Sequence, residues 1–505
     1  MAVKLNTASF LGVEGNIVSV EVDIERGLPC FNIVGLADTS VKESKERVKA
    51  SIINSGFEFP VKKIIVNLAP ADMRKVGSLF DLPIALGILM ATNQINFVDC
   101  RNFLIMGELS LSGELNKVRG VLPITIEGMK NNIKNFIVPI GNAEECSAIN
   151  KINCYAFNNL REVVYFIKYR DLVPFSHKTI NVESKNALDF SDILGQESCK
   201  RALEVAAAGN HNILMIGPPG SGKTMMAKRI PTILPNLSYE DALEVTKIYS
   251  VTGSLNKNEG LITRPPFRNP HHTSTTASLI GGGKNLMPGE ISLAHNGVLF
   301  LDEILEFRKN VLETLRQPLE EKKITINRAY GRVTFPCNFM TVLATNPCPC
   351  GNFASKKECN CTELQRKRYI SKLSGPILDR IDLFTFVNSL DFKDIENYSR
   401  GEPSKNIKSR VEKARKIQKQ RFKNEGIHYN SEMSSKLIRK YCNLDERCLL
   451  LIKSIYVKYN LTTRAYSRIL KVARTIADLN NSKKIQESHL VEALHYRKFL
   501  DEKFL

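Results

Sequence analysis

GPPGSGKT, at residues 217–224, directly follows the apolar run ILMI at 213–216 and fits the pattern G-x-x-x-x-G-K-[ST]. A buried strand, a glycine-rich turn and the start of a helix, in this order, predict a phosphate-binding loop in an α/β domain. The glycines allow backbone N–H groups to point inward, and the helix N-terminus adds partial positive charge. The expected phosphate-binding residues are Gly217, Pro218, Pro219, Gly220, Ser221, Gly222, Lys223 and Thr224.

Two acidic residues end a second strand-like segment, VLFLDE at 298–303. On a buried parallel strand these carboxylates lie at the ligand end of the sheet, where Asp302 and the Thr224 hydroxyl are expected to hold Mg²⁺. Lys223 is expected to reach the β- and γ-phosphates of a nucleotide, and Glu303 to polarise the attacking water. The alternative is an acidic cap on a helix that follows a core strand.

Two further residues are candidates for contacts with a triphosphate. The strand FMTVLA at 339–344 ends just before Asn346, whose amide is suited to bond the γ-phosphate or the water beside Glu303. Arg380 follows a turn that begins with proline, in SGPILDRID at 374–382. An arginine in this position is a candidate to complete the nucleotide site of a neighbouring subunit. A surface ion pair is the alternative for Arg380.

Length and composition limit the class of protein. With 505 residues the chain is too long for one core, and its 43% apolar content is typical of a folded protein in water. No apolar run approaches the ~18 residues of a membrane helix, and the start MAVKLNTASFLGVEGN lacks the apolar core of a signal peptide. We therefore expect a cytoplasmic protein with no membrane partner. The net charge of +19 favours a polyanion such as DNA, although charge alone does not decide the partner.

The chain divides into regions of different pattern. Residues 1–170 predict a separate α+β domain, and the polar stretch 171–190 predicts a linker. Alternating β and α segments over 191–391 predict a parallel-sheet nucleotide domain, whereas 392–505 is mostly helical in pattern. In the last region, 464–479 predicts a helix with one buried face. Other expected strands are 15–23, 31–34 and 64–68, and other expected helices are 41–55, 83–90 and 200–208.

Twelve cysteines in so long a chain do not indicate a disulfide scaffold, but four of them are clustered. Cys348 and Cys350 form one C-x-C pair, Cys359 and Cys361 form another, and eight residues separate the pairs. Four thiolates at this spacing can converge on one tetrahedral ion, for which zinc is the natural occupant. Such a site would be structural, because four protein ligands leave no open position. Four unligated thiols are the alternative, since C-x-C is less common for zinc than C-x-x-C.

The motifs together resemble those of the ComM/YifB family, the magnesium-chelatase-like AAA+ ATPases, over essentially the whole chain. The shared stretches are GPPGSGKT at 217–224, NPHHTSTTASLIGGG at 269–283, PGEISLAHNGVLFLDE at 288–303, ATNPCPCG at 344–351, SGPILDRIDL at 374–383 and TRAYSRILKVARTIADL at 463–479. The resemblance implies an N-terminal α+β domain with the fold of the Lon proteolytic domain, an AAA+ core with a parallel sheet, and a C-terminal helical lid.

The resemblance also implies roles for individual residues in a hexameric ring. Asn346 takes the position of sensor 1, Arg380 that of an arginine finger acting in trans, and Arg464, carried to the nucleotide by its helix, that of sensor 2. Residues 262–292 and the hairpin 324–335 would be inserts facing the pore. The implied function is an ATP-dependent motor on single-stranded or branched DNA, a helicase or branch-migration factor in natural transformation or recombination. The alternative is a chelatase-like ATPase that remodels a partner protein.

Two other stretches are left with open alternatives. Nine lysines or arginines lie between 405 and 423 with the single acid Glu412, and they fit either phosphate binding or the solvated face of a helix. His271 and His272 are adjacent and do not readily share one metal, so we assign them to the pore insert as packing or DNA-facing residues.

The N-terminal region is expected to lack peptidase activity. In the Lon-like frame, GSLFDLP at 77–83 places Asp81 at the position of the nucleophile, with Ser78 nearby. VRGVL at 118–122 places a leucine where a lysine base should stand, although Lys117 is an alternative. A serine without an adjacent base is a weak nucleophile. The region is expected to serve ring assembly or DNA guidance instead.

Overall fold

A computed structural model describes residues 2–97, 100–176, 188–256, 259–283, 285–328, 331–353, 357–388, 401–458 and 461–503, with side chains to residue 497. The strands are β1 Val3–Leu11, β2 Glu14–Glu25, β3 Cys30–Val34, β4 Lys63–Ala69, β5 Phe103–Ile105, β6 Glu108–Leu109, β7 Leu115–Asn116, β8 Asn135–Pro139, β9 Asn153–Phe157, β10 Ile213–Ile216, β11 Phe267–Arg268, β12 Gly281–Gly282, β13 Met287–Pro288, β14 Val298–Leu301, β15 Lys323–Arg328, β16 Gly331–Pro336, β17 Met340–Thr345 and β18 Leu383–Phe386. The helices are α1 Thr39–Asn54, α2 Asp81–Ala91, α3 Val121–Lys130, α4 Ala143–Ser147, α5 Leu160–Tyr169, α6 Glu197–Gly209, α7 Lys223–Ile233, α8 Tyr239–Thr252, α9 Thr276–Ile280, α10 Glu290–Leu293, α11 Lys309–Thr314, α12 Arg316–Glu321, α13 Glu363–Ile370, α14 Gly375–Leu378, α15 Ser404–Arg421, α16 Ser435–Tyr441, α17 Glu446–Lys458, α18 Thr463–Leu479 and α19 Glu487–Lys503.

The N-terminal region is built on a mixed seven-stranded sheet with the order β3-β4-β2-β1-β5-β8-β9. β2 pairs antiparallel with β1 and β4, whereas β5, β8 and β9 are parallel neighbours. The helix α2 packs against β1 and β2 and is buried from Asp81 to Leu89, because apolar residues cover almost its whole circumference. The strands and helices expected here are confirmed.

The second region holds a five-stranded sheet, β11-β14-β17-β10-β18, in which every pair is parallel. This confirms the parallel sheet expected around the phosphate loop. β10 is buried on both faces: Ile213 and Met215 face one core, and Leu214 and Ile216 face the other. Because parallel strands end at the same edge, the loops that follow β10, β14 and β17 are brought together.

The C-terminal helices α15 to α19 pack on the core that contains Ile213. The apolar face predicted for α18 is buried, at Ile469, Val472, Ala473 and Ile476. The boundary expected at 391/392 lies outside the described residues, as does part of the expected linker. Among the helices that the structure describes, none is long and apolar enough to cross a membrane.

The helix α8 of the nucleotide-binding region is hydrogen-bonded to the N-terminal region. The Ser250 carbonyl accepts a hydrogen bond of 3.1 Å from the Gly120 N–H, and the Ser250 hydroxyl bonds the Glu145 carboxylate. Nearby, Lys117 Nζ donates to the Leu255 carbonyl at 2.9 Å. These contacts hold the end of α8 against the start of α3.

Candidate nucleotide site

The phosphate loop lies between the end of β10 and the start of α7. Gly220 and Gly222 have φ angles of +77° and +92°, which residues with a side chain rarely adopt, so this turn requires glycine. The helix α7 begins at Lys223, directly after Gly222, so the N–H groups of its first turn point toward the loop. The Ser221 hydroxyl is buried and has no hydrogen-bond partner within the described residues. A buried polar atom without a partner fits a loop that closes around an anion.

Lys223 is held close to its own loop. Its Nζ donates to the carbonyl oxygens of Gly217 at 2.7 Å and Pro218 at 2.9 Å, and lies 3.3 Å from Asn346 Oδ1. Burial lowers the pKa of Lys223, while the nearby carboxylates of Asp302 and Glu303 act in the opposite direction. In the part of the chain that the structure describes, its ammonium forms no ion pair. The charge is therefore available to a phosphate.

Thr224 and Asp302 meet at the end of β14. Thr224 Oγ1 donates to Asp302 Oδ2 at 2.5 Å, and Asp302 Oδ1 accepts from the Glu303 N–H at 3.0 Å. A hydroxyl and a carboxylate that converge are oxygen ligands of the kind Mg²⁺ prefers beside a triphosphate. The donor set therefore fits the expected cation.

Glu303 occupies an unusual backbone position. Its φ angle is +50°, in the left-handed region, which costs a residue with a side chain about 1 kcal/mol and is frequent at functional sites. Its side chain is 53% exposed, so the carboxylate can meet water. Asn346 follows β17, and β17 lies between β14 and β10 in the sheet. Lys223, Thr224, Asp302, Glu303 and Asn346 therefore stand at one edge of the sheet.

His272 is a neighbour of Glu303 that the sequence reasoning assigned only to the insert. β11 pairs in parallel with β14, so the chain that leaves β11 emerges beside the end of β14. His272 Nδ1 lies 3.7 Å from Glu303 Oε2, and its ring contacts His271 and Phe307. The two-residue strand β11 is too short to give a periodic signal, so the sequence pattern did not reveal this contact.

Arg380 and Arg464 lie together, and no residue of 217–224 is among those lining the cavity of about 600 Å³ that they share. Arg380 pairs with Glu320, while its buried Nε has no hydrogen-bond partner in the described structure. Arg464 is 73% exposed and lies 3.3 Å from Asp379. The helix α18 therefore places Arg464 beside Asp379, at the cavity that Arg464 shares with Arg380.

A buried carboxylate anchors this surface. Asp382 Oδ1 accepts from Arg468 at 2.5 Å and Asp382 Oδ2 lies 3.1 Å from His211 Nδ1. Burial alone would raise the pKa of Asp382, but Arg468 and His211 outweigh it and hold the pKa below its ordinary value. The amide of Asn212, next to β10, donates to the Arg380 carbonyl at 2.9 Å. The backbone of Arg380 is thus tied to the strand that precedes the phosphate loop.

Four cysteine sulfurs converge just after Asn346. The Sγ atoms of Cys348, Cys350, Cys359 and Cys361 all lie within 4.8 Å of one another. Three of the pairs are separated by 3.4 to 3.7 Å. A tetrahedral zinc with Zn–S bonds of about 2.3 Å requires sulfurs about 3.8 Å apart. The spacing therefore fits one zinc ion.

The basic helix α15 is partly engaged inside the chain, which favours a structural role for three of its arginines over phosphate binding. Arg410 pairs with Glu204 and Glu402, Arg421 pairs with Asp478, and Arg415 stacks on the ring of Tyr429 at 4.7 Å.

Comparisons with known proteins agree with this architecture. Residues 189–395 match the family described as magnesium chelatase, subunit ChlI, residues 20–142 match subunit ChlI of Mg-chelatase, and residues 401–497 match its C-terminal part. The chain is 41% identical over 504 residues to competence protein ComM of Haemophilus influenzae, covering 98% of this chain and 97% of ComM. It is also 41% identical over 495 residues to YifB of Escherichia coli, covering 98% of this chain and 96% of YifB.

A shorter similarity relates the chain to Lon protease 2 of Bacillus subtilis. The two are 28% identical over 147 residues, which is 28% of this chain and 27% of the protease. With the mixed N-terminal sheet, the parallel sheet and the C-terminal helices, this confirms the expected fold class. The chain therefore belongs to the ComM/YifB family of magnesium-chelatase-like AAA+ proteins.

Proposed function

We propose that this protein is an ATP-hydrolysing motor that acts on DNA as a ring of identical subunits. The observation that carries the proposal is the convergence of Lys223, Thr224, Asp302, Glu303 and Asn346 at one edge of the parallel sheet. This set suits a triphosphate, and it includes an exposed carboxylate that can act on water. Binding alone would not need that carboxylate.

Each residue has a distinct part in the proposed hydrolysis. The N–H groups of the loop and the Lys223 ammonium bind the β- and γ-phosphates. Thr224 and Asp302 would hold Mg²⁺, which neutralises charge on the phosphate oxygens. Glu303 accepts a proton from the attacking water as the bond from water oxygen to γ-phosphorus forms and the bond from γ-phosphorus to the β,γ-bridging oxygen breaks, which releases ADP and phosphate. Asn346 orients the γ-phosphate or the water.

A second subunit is needed for Arg380 and Arg464. Both line a cavity whose lining includes no residue of 217–224, and the Arg380 carbonyl is bonded by Asn212, before β10, whereas the phosphate loop follows β10. The exposed Arg464 can meet a neighbour. We therefore place them at the nucleotide of the adjacent subunit, where they would neutralise transition-state charge. The family resemblance suggests six subunits in the ring.

DNA is the preferred partner because of charge. The chain carries a net charge of +19, and residues 323–336 of the β15–β16 hairpin contain no acid. Lys323, Arg328 and Arg332 are exposed on this hairpin, while its apolar residues face the core. The relative ComM is named a competence protein. These features support a helicase or branch-migration factor in natural transformation or recombination, acting on single-stranded or branched DNA.

Remodelling of a partner protein is the second candidate. All three matched families are described as parts of the magnesium chelatase subunit ChlI, and that description does not call for DNA.

Measuring ATP turnover with and without single-stranded and branched DNA separates the two candidates. For a DNA motor, DNA should raise turnover. The double variant Arg328→Ala with Arg332→Ala should keep the turnover measured without DNA. The slope of the logarithm of the DNA-binding constant against the logarithm of salt concentration should become shallower by about two. Replacing Arg447 and Lys453, two exposed cations of α17, gives the matched control. Wild-type turnover that no DNA changes would favour a protein partner.

We also propose one structural zinc per chain, bound by Cys348, Cys350, Cys359 and Cys361. Elemental analysis of protein purified without chelator should find it, and Cys350→Ser combined with Cys359→Ser should remove it. Metal content unchanged in that double variant would exclude this cluster as the site.

A further inference from the structure

The cysteine loop, residues 348–353 together with 357–361, lies against the phosphate loop. Gly351 has a φ angle of +79°, and a Cβ built on it would lie 2.6 Å from Pro219 Cδ and 2.8 Å from Pro219 Cγ. Carbon atoms in contact require more than 3.4 Å, so no side chain fits between the two loops. The backbone of Gly351 therefore packs directly on the ring of Pro219.

The first cysteine pair connects this contact to Asn346. Cys348 follows Asn346 by two positions and is fully buried. Its carbonyl accepts from the Gly351 N–H at 3.0 Å, and its sulfur accepts from the Phe353 N–H at 3.3 Å. These bonds close a tight turn. Asn346, which contacts Lys223, lies two residues before this turn. Gly351, which contacts Pro219, lies at its end.

The second cysteine pair leads into the helix α13. Arg366 donates to the Cys361 carbonyl at 3.1 Å, and Tyr369 donates to Glu306 Oε1 at 3.3 Å. The turn that contains Glu306 directly follows Glu303, and the Glu306 N–H bonds the Glu303 carbonyl at 2.8 Å. The chain that follows Cys361 thus supports the turn behind the candidate base.

We propose that the cysteine loop, closed by its metal ion, is a positioning element of the nucleotide site. It joins the segments that hold Pro219, Asn346 and Glu303, so that ATP turnover depends on metal loading while the sheet and its two cores do not. The inference rests on the proposed hydrolysis and on the proposed zinc. Without the ion, the sulfurs of Cys348 and Cys350 are linked to Cys359 by weak thiol contacts of 3.6 to 3.7 Å instead of by bonds to a shared metal. The turn can then move away from Pro219.

Reversible metal removal is the first test. Full-length protein is treated with a zinc chelator, freed of it, and assayed in Mg²⁺ with and without added Zn²⁺. Turnover should fall by about 10-fold to 100-fold, the range seen when groups that orient a site are lost. Affinity for a fluorescent ATP analogue should fall less, far-ultraviolet circular dichroism should be unchanged, and Zn²⁺ should restore turnover. Wild-type turnover in zinc-free protein would overturn the proposal.

Gly351→Ala separates the contact with Pro219 from metal binding, because all four cysteines remain. The variant should keep one zinc per chain and lose about 10-fold in turnover, since the new methyl group displaces Pro219. Gly77→Ala is the matched control: its φ of +98° imposes similar backbone strain, but no atom lies within 4 Å of the added Cβ. Equal turnover in the two variants would overturn the proposal.

The outcomes also distinguish failure of the positioning role from failure of the proposed function. Wild-type protein that binds and hydrolyses no ATP contradicts the proposed function itself. Active wild-type protein that contains no zinc contradicts the proposed zinc and with it the positioning role, but not the proposed ATP hydrolysis. Active protein whose turnover is unaffected by zinc removal, or by Gly351→Ala relative to Gly77→Ala, contradicts only the positioning role of the cysteine loop.

Discussion

The nucleotide site and the cleft of the N-terminal region both contain cationic and hydroxyl side chains, but these side chains have different partners. In the nucleotide site, Lys223 contacts carbonyl and amide oxygens, and the buried Ser221 hydroxyl has no partner in the described structure. The N-terminal cleft is a cavity of about 620 Å³ whose lining includes Ser78, Glu108 and Lys117. There the Ser78 hydroxyl has a carboxylate partner, in contrast to the Ser221 hydroxyl, and Lys117 is bonded to a carbonyl of another segment rather than to its own loop.

The bonds in the N-terminal cleft are specific. The Ser78 hydroxyl bonds the Glu108 carboxylate, and Lys117 Nζ donates to the Leu255 carbonyl at 2.9 Å. Asp81, at the position aligned with the Lon nucleophile, is fully buried and lies 2.8 Å from Arg47. A buried polar group without a partner costs stability, a cost that a bound ligand can offset, whereas paired groups such as Arg47 and Asp81 stabilise the fold. The absence of peptidase activity stays a prediction that these pairs support.

The largest effects are expected when the cations of the nucleotide site are removed. Lys223→Ala should lose nucleotide binding, and Arg380→Ala should bind nucleotide but turn it over about 1000-fold more slowly.

If Arg380 serves a neighbour, mixtures of the two variants should regain part of the turnover, because some interfaces pair an intact loop with an intact arginine. Turnover of the mixture is compared with that of each variant alone. No recovery in verified mixed rings would place Arg380 in cis or in a structural role.

Glu303→Gln is expected to have the next largest effect. The amide keeps the shape of the side chain but cannot accept a proton, so ATP should bind while turnover falls by about 100-fold to 10,000-fold. Equilibrium nucleotide binding and single-turnover hydrolysis measure the two steps. Glu306→Gln, in the turn that follows, is the control: its amide oxygen can still accept from the Tyr369 hydroxyl, so turnover should change far less. Near-normal turnover by Glu303→Gln would remove Glu303 from the role of base.

Arg47→Ala should affect stability rather than ATP chemistry. It leaves the buried Asp81 carboxylate unpaired, which is expected to lower the free energy of unfolding of the N-terminal region by about 3 kcal/mol. Denaturant unfolding gives that value, and nucleotide binding by the folded protein should be unchanged. The exposed Lys42 on the same helix is the control, since Lys42→Ala should change stability by less than about 0.5 kcal/mol. An equally small effect of Arg47→Ala would show that the pair does not stabilise the cleft.

Ser78→Ala is expected to have the smallest effect. It removes one hydrogen bond, so stability should fall by about 1 kcal/mol and ATP turnover should not change. Neither the wild type nor the variant should cleave casein in the presence of ATP. Cleavage that persists through purification and disappears in Ser78→Ala would assign the N-terminal cleft a catalytic role.

The sequence predicted much of this fold because its signals are local. Alternating or continuous apolar residues located β2, β3, β4, β10 and β14, and helical periodicity located the buried face of α18. The candidate nucleotide residues could also be grouped in advance, since parallel strands deliver the residues that follow them to one edge. Two-residue strands such as β11 carry too little pattern to be found in this way.

By itself, the sequence determined the phosphate loop, the acidic end of β14 and the pairs of cysteines, because each depends on residues close together in the chain. Only the tertiary structure decided which distant residues meet. His272 reaches Glu303 because β11 pairs with β14, and Arg464 lies beside Asp379 because of where α18 packs. Gly351 touches Pro219 across more than a hundred residues of sequence. Such contacts follow from strand order and from the burial of apolar faces, which act on the whole chain and leave no local pattern.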